Sequence, residues 1–212
     1  MMKLDDTSDS IRHLVNCDKR MGKLISMIGD LEYEIPEEPY AFLVSQIVNQ
    51  LLSNKASEAI FRRVLLLCDG NISPNAIERL TEEELKSTGM SRNKVSYIKN
   101  LTEAVKNRII DFEQLNDLSD DEVVRQLTQI RGIGNWSAKM YLLFALDRQD
   151  ILPYEDGAFL QGYKWLYKTD DIIPESINRK CKKWRPYSSI AARYLYKALD
   201  QGYTKAEFHL HK

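Results

Sequence analysis

Apolar residues recur along this chain three and four positions apart, the spacing of a buried helical face, almost from end to end. Tyr40, Leu43, Val44, Ile47 and Leu51 fall on one such face, and Tyr187, Ile190, Ala191, Tyr194 and Leu195 repeat it near the C-terminus. Strand-like alternation bounded by hairpin turns is not evident. Helix-start signals agree with this pattern. Ser73-Pro74 offers a cap followed by proline at the first helical position, and Thr81 with Glu84, like Ser119 with Glu122, has capping-box spacing. Pro36, Pro39, Pro153, Pro174 and Pro186 fall between helical stretches rather than inside them. Asp69-Gly70-Asn71 has the composition of a hairpin turn. It lies between a long helical pattern and a capped helix, so it reads as a helix–helix loop. The pattern predicts an all-α protein of about ten short helices.

Composition narrows the class. A chain of 212 residues suffices for one domain or two small lobes with a buried core. No apolar run reaches the roughly 18 residues of a membrane helix, and Met1 to Ser10 is too polar for a secretion signal. A cytoplasmic monomer with no membrane contact is expected. Cys17, Cys68 and Cys181 are odd in number and far apart, which suits reduced thiols. They are too few for a four-cysteine iron–sulfur cluster or zinc site. The net charge of -1 argues against a broad basic footprint for nucleic acid. Phosphates can still be gripped by backbone N–H groups and a few local lysines.

The most informative stretch runs from Leu127 to Lys139. A helix ends near Gln129, a tight turn carries Gly132 and Gly134, and a second helix starts at about Asn135 to Ser137. The glycines let the backbone take positive φ and approach a ligand closely. The N–H groups that open the second helix face outward, where the helix dipole favours an anion. A DNA phosphate fits such a turn, as does an ordinary helical connection with no ligand.

Ile130-Arg131-Gly132-Ile133-Gly134-Asn135-Trp136-Ser137-Ala138 resembles the hairpin of the helix-hairpin-helix DNA glycosylases, in particular the DNA-3-methyladenine glycosylase II type. Leu152-Pro153-Tyr154-Glu155-Asp156 resembles that family's following segment, with the aspartate about twenty residues beyond Trp136. Ile47 to Ala56 resembles its glutamine-containing helix end and loop. Trp184-Arg185-Pro186-Tyr187-Ser188-Ser189 resembles its C-terminal Trp-x-Pro-aromatic-x-Ser motif, and Gly89-Met90-Ser91-Arg92-Asn93-Lys94 its Gly-Leu-Ser-x-x-Lys loop. The matches occur in family order over roughly residues 12 to 200.

The resemblance implies two helical lobes with a catalytic cleft between them. Residues 1–38 and 151–212 would form the terminal lobe and 39–150 the central one, with the helix-hairpin-helix at about 120–146. It implies a monofunctional glycosylase that flips alkylated purines out of duplex DNA and hydrolyses the N-glycosidic bond. Another lesion specificity, such as oxidised guanine or a mismatched base, and a non-catalytic DNA binder are the alternatives. Backbone N–H groups at Gly132, Gly134 and Ser137 would hold a phosphate, and carbonyls at Thr128, Ile130 and Ile133 a monovalent cation, Na⁺ or K⁺. No other cofactor is required. Gln50 and Leu51 would meet the DNA, with Leu51 either the wedge filling the flipped base's place or a core residue. Lys55, Arg92 and Lys94 are the basic residues nearest the matched loops.

Asp156 is the implied catalytic carboxylate, with Glu155 the second choice; taken alone, Asp156 would be a helix N-cap. Trp136, Tyr154, Trp184 and Tyr187 are candidates to line the base pocket, or else to pack in the core. Some family members carry a pocket tyrosine where this chain has Met140. Bifunctional relatives place a Schiff-base lysine where this chain has Trp136; Lys139 lies three residues further on and points elsewhere. Strand cleavage is therefore not expected.

Overall fold

The computed structural model describes residues 1–210; positions 211 and 212 of the expected terminal lobe lie outside the described residues. Two helices open the chain, α1 (Asp9–Cys17) and α2 (Lys19–Ile28). Then come α3 (Pro39–Asn49), α4 (Asn54–Leu67), α5 (Pro74–Arg79), α6 (Glu82–Ser87), α7 (Arg92–Lys106) and α8 (Phe112–Leu115). The rest are α9 (Asp120–Thr128), α10 (Asn135–Met140), α11 (Gly157–Tyr167), α12 (Pro174–Cys181) and α13 (Ser188–Asp200). Two short strands, β1 (Met2–Leu4) and β2 (Leu31–Tyr33), pair antiparallel with Met2 opposite Tyr33. Three-residue strands are too short to show alternation, so the sequence pattern missed them. No described helix is long and apolar enough to cross a membrane.

Local signals place the helix ends. Ser73 caps α5, and both capping boxes form, at Thr81/Glu84 and at Ser119/Glu122. Asp69-Gly70 opens the loop after α4 with positive φ at both residues, and the Gly70 N–H returns to the Leu65 carbonyl at 2.9 Å, closing off the helix.

The chain divides into two compact units, one of residues 36–146 and one of residues 1–35 with the chain from Asp147 onward. The central unit packs α3 against α4, α7 and α10, and α9 against α10. Tyr40, Leu43, Val44 and Ile47 of α3 are buried together with Val95, Ile98 and Leu101 of α7. Each such side chain contributes about 1.5–3 kcal/mol by leaving water. The apolar stripe of α3 stops there. Leu51 lies beyond the helix end and is fully exposed, so the core reading of Leu51 is wrong.

In the terminal unit α11 and α13 lie close together. A Cβ on Gly162 of α11 would sit 2.9 Å from the Leu195 Cβ of α13, so this crossing requires glycine. The unit is organised around a buried carboxylate, Asp18, which is 3% exposed. It caps α2 by accepting the N–H groups of Arg20 and Met21. It also accepts the Trp184 indole N–H at 3.0 Å and the Tyr167 hydroxyl, and it pairs with Lys183 at 3.0 Å. Burial pushes its pKa up, but the Tyr167, Lys183 and Trp184 donors outweigh burial and hold it below the usual value. All three cysteines are free.

Candidate active site

The hairpin between α9 and α10 is held by three contacts to its own carbonyls. The Ile133 N–H donates to Ile130 at 3.0 Å, the Gln50 side-chain amide to Gly132 at 2.8 Å, and the Asn100 amide to Arg131 at 3.2 Å. Gly132 has φ of +108°, and a Cβ there would come within 2.2 Å of Tyr97. Gly134, the N-cap of α10, faces open space. The first helical bond runs from the Ala138 N–H to the Gly134 carbonyl. The N–H groups of residues 135 to 137 therefore open the helix ahead of its first internal bond. One glycine lets the turn pack on Tyr97 and the other leaves its outer side bare.

These roles separate in two substitutions. Gly132→Ala combines a clash with the root of an aromatic ring and an unfavourable φ, and should cost about 3 kcal/mol in urea unfolding. Gly134→Ala should stay within about 1 kcal/mol of the native stability, the scale of a cap change. It should still weaken duplex DNA binding, because its methyl group projects where the helix opens. Equal loss of stability in both variants would contradict this division.

Thr128, Ile130 and Ile133 offer neutral carbonyls in the same turn, the donor type a monovalent cation takes. The Ile130 carbonyl already accepts one N–H and keeps its second lone pair. Among the described residues no group of three or more His, Cys, Asp or Glu could hold a metal ion.

Gln50 ends α3, and the loop after it carries Leu51 at φ +57° with 104% relative exposure. A bulky non-glycine residue with positive φ costs about 1–2 kcal/mol, and a protruding leucine gains nothing from burial in the free protein. Lys55 and Arg92 are exposed. Lys94 is engaged instead with the end of α3, donating to the Val48 carbonyl at 2.8 Å, and burial lowers its pKa.

In the terminal unit Asp156 caps α11. A turn closed by the Asp156 N–H on the Pro153 carbonyl, at 2.9 Å, delivers it to the helix start. One carboxylate oxygen then accepts the Phe159 N–H at 2.8 Å. The side chain is largely buried at 9% exposure, while Gly157, Ala158 and Glu155 beside it are exposed. The N-cap reading of Asp156 is thus what the structure shows, and a helix N-terminus also favours a negative charge there.

The C-terminal motif fixes the approach to this aspartate. The Ser189 N–H donates to Gln149 at 3.0 Å, the Ile151 N–H donates to the Ser189 hydroxyl at 2.9 Å, and the Ser188 hydroxyl binds Asp150. Trp184 is removed from the pocket candidates: it is 0% exposed, its indole N–H is engaged by Asp18, and its ring stacks on Tyr167. Met140 is likewise buried, at 4% exposure. Trp136, Tyr154 and Tyr187 are half-buried, with Tyr187 edge-on to His13.

Sequence reasoning missed Tyr196 and the groups around it. The hydroxyl of Tyr196 in α13 is closed to solvent, and burial first, then the nearby Asp156 charge, raises its pKa well above the ordinary value. One turn earlier on α13, Arg193 pairs with Asp147 at 3.1 Å and lies 3.8 Å above the Tyr33 ring. Arg193, a charged residue among the buried Ile190, Ala191, Ala192, Tyr194 and Leu195 of α13, was the available signal.

A glycine hairpin opening a helix and a carboxylate capping another define a protein of the helix-hairpin-helix class. Residues 42–186 match the HhH-GPD superfamily of base excision DNA repair proteins, and the chain belongs to that superfamily. It is 30% identical to DNA-3-methyladenine glycosylase 1 of Schizosaccharomyces pombe, over 87% of this chain and 84% of that one. The crystal structure of a DNA-3-methyladenine glycosidase from Bacillus halodurans aligns over 99% of this chain and 97% of its own, with TM-score 0.85 and 33% identity. The Schizosaccharomyces pombe 3-methyladenine DNA glycosylase Mag1, solved in complex with abasic DNA, aligns over 91% of this chain and 97% of its own. Its TM-score is 0.85 and its identity 29%.

Proposed function

We propose that this chain is a monofunctional DNA glycosylase that removes alkylated purines of the 3-methyladenine type from duplex DNA. The observation that carries the reading is Asp156, a largely buried carboxylate held at the start of α11 within a superfamily of base excision repair proteins. Relatives named for 3-methyladenine, matching nearly the whole chain, support the substrate class.

An alkylated purine carries positive charge and leaves with the bonding electron pair when the C1′–N bond breaks. The sugar is left with oxocarbenium character, which an ionised carboxylate stabilises. At about 4 Å that attraction is roughly 4 kcal/mol at an effective dielectric near 20, against about 1 in water. The difference of about 3 kcal/mol corresponds to around a hundredfold in rate. Asp156 then orients the water that attacks C1′ and accepts its proton, so the products are a free base and an abasic site.

On this reading the hairpin N–H groups of Gly132, Gly134 and Ser137 hold a backbone phosphate, assisted by Lys55 and Arg92. A monovalent cation would sit on the carbonyls of Thr128, Ile130 and Ile133 and add positive potential beside that phosphate. Leu51, exposed and already projecting, fills the gap left by the extruded base. The face of Tyr154, two residues before Asp156 in the same unit, attracts the cationic base. Lys94 and Gln50 shape the loops that present these groups.

The test is release of 3-methyladenine from alkylated duplex DNA by the purified protein. Base release should occur with the phosphodiester strand left intact. With Trp136 in place of a Schiff-base lysine, borohydride should trap no covalent protein–DNA adduct. A trapped adduct would refute monofunctional chemistry. Duplex binding without base release would favour a non-catalytic DNA binder.

A further inference from the structure

We infer that Gln50 and Lys94 are positioning residues for Leu51: their long-range hydrogen bonds hold the leucine projecting in the free protein, ready to fill the gap left by an extruded base. This inference rests on the reading of Leu51 as the wedge.

Leu51 stands just past the end of α3, where a helix commonly stops on a glycine with positive φ. Here a leucine takes that backbone conformation, at φ +57°, and its side chain is fully exposed. The conformation is unfavourable for a bulky residue, and the side chain gains nothing from burial. The residues around it must therefore hold it in place.

The last carbonyls of a helix have no partners within it. At the end of α3 the Val48 carbonyl is taken by the Lys94 ammonium at 2.8 Å. Lys94 lies in the first turn of α7, where its backbone N–H donates to the capping Ser91 hydroxyl at 3.3 Å. The Gln50 side-chain amide donates to the Gly132 carbonyl at 2.8 Å. Beyond Leu51, the Leu52 N–H closes on the Asn49 carbonyl at 3.2 Å. The backbone is thus held before and after Leu51, and its side chain is left to project.

The Gln50 bond has a second effect. Gly132 belongs to the hairpin and is itself seated against Tyr97. Gln50 therefore fixes the spacing between the leucine and the turn that holds the phosphate, all within the central unit. A loose wedge would have to be ordered as the base leaves the stack, whereas one held in advance carries no ordering cost at that moment. In this role neither side chain touches the DNA, since each is directed at a carbonyl of the protein.

The experiment is a pair of double-mutant cycles. Gln50→Met and Lys94→Met preserve side-chain length and remove the donor. Each is made alone and together with Leu51→Ala, and single-turnover release of 3-methyladenine from alkylated duplex is measured at saturating enzyme. Each donor variant alone should lower the rate about five- to tenfold, the scale of one lost hydrogen bond. In the Leu51→Ala background the same changes should lower it less than about twofold, because no wedge remains to be positioned. Equal losses in both backgrounds overturn the inference, and so does a native rate in both donor variants. Lys94→Met leaves every hairpin bond in place, so it keeps the test valid if Gln50→Met fails to fold. Binding to undamaged duplex across a salt series is the second readout, and its slope should match that of the native protein. A slope reduced by about one in Lys94→Met would make Lys94 a phosphate contact and overturn its positioning role. A native rate in Leu51→Ala alone would show instead that the wedge reading fails, and the inference with it.

Discussion

Asp156→Asn should lower the single-turnover rate of base release by about a hundredfold or more, while leaving the fold and duplex binding intact. Asparagine is as good an N-cap as aspartate, so the bond to the Phe159 N–H survives. Only the charge is lost. The expected size follows from the roughly 3 kcal/mol by which a sheltered carboxylate outperforms one in water. Thermal unfolding and binding to undamaged duplex serve as the control pair. A variant that folds, binds and still excises at the native rate would show that Asp156 is a helix cap and nothing more.

The largest effect on stability is expected at Asp18, far from Asp156 in sequence. Asp18→Ala removes the cap of α2 and leaves the Trp184 indole N–H and the Tyr167 hydroxyl buried without acceptors. Lys183 also loses its buried partner. Breaking a buried, charged hydrogen-bonded group of this kind costs about 3–5 kcal/mol, measurable by urea unfolding at neutral pH. The pH dependence has a definite sign. The folded-state pKa of Asp18 is held below its unfolded value, despite the opposing effect of burial. Its contribution is therefore complete above the unfolded value of about 3.9 and is lost as pH falls through the lower folded value. The stability gap between native protein and Asp18→Ala should be constant from neutral pH down to about 5 and shrink below about 4. A gap that widens on acidification would refute this assignment.

Much of the architecture was legible before any coordinates. The apolar spacing predicted helices, and the start signals at Ser73, Thr81 and Ser119 became the observed caps. These features are local: a cap needs only residues within one turn, and an apolar stripe needs only its own helix. The glycine hairpin and the segment ending at Asp156 were legible for the same reason, since each lies within a short run of residues.

Other assignments depended on contacts between residues far apart in sequence. Leu51 fitted the stripe of α3 by spacing alone, and only the end of the helix at Asn49 put it outside the core. Trp184 belonged to a motif that suggested a pocket, yet Asp18, 166 positions away, engages its indole and buries it. Lys94 stood among the basic residues nearest the matched loops, and only the fold shows its ammonium donating to the Val48 carbonyl at the end of α3. The sequence by itself determined which segments are helical, where they begin, and which aspartate caps α11. Only the tertiary structure decided which polar side chains face one another. A hydrogen bond between Asp18 and Trp184, or between Lys94 and the end of α3, depends on helix packing that no local pattern encodes.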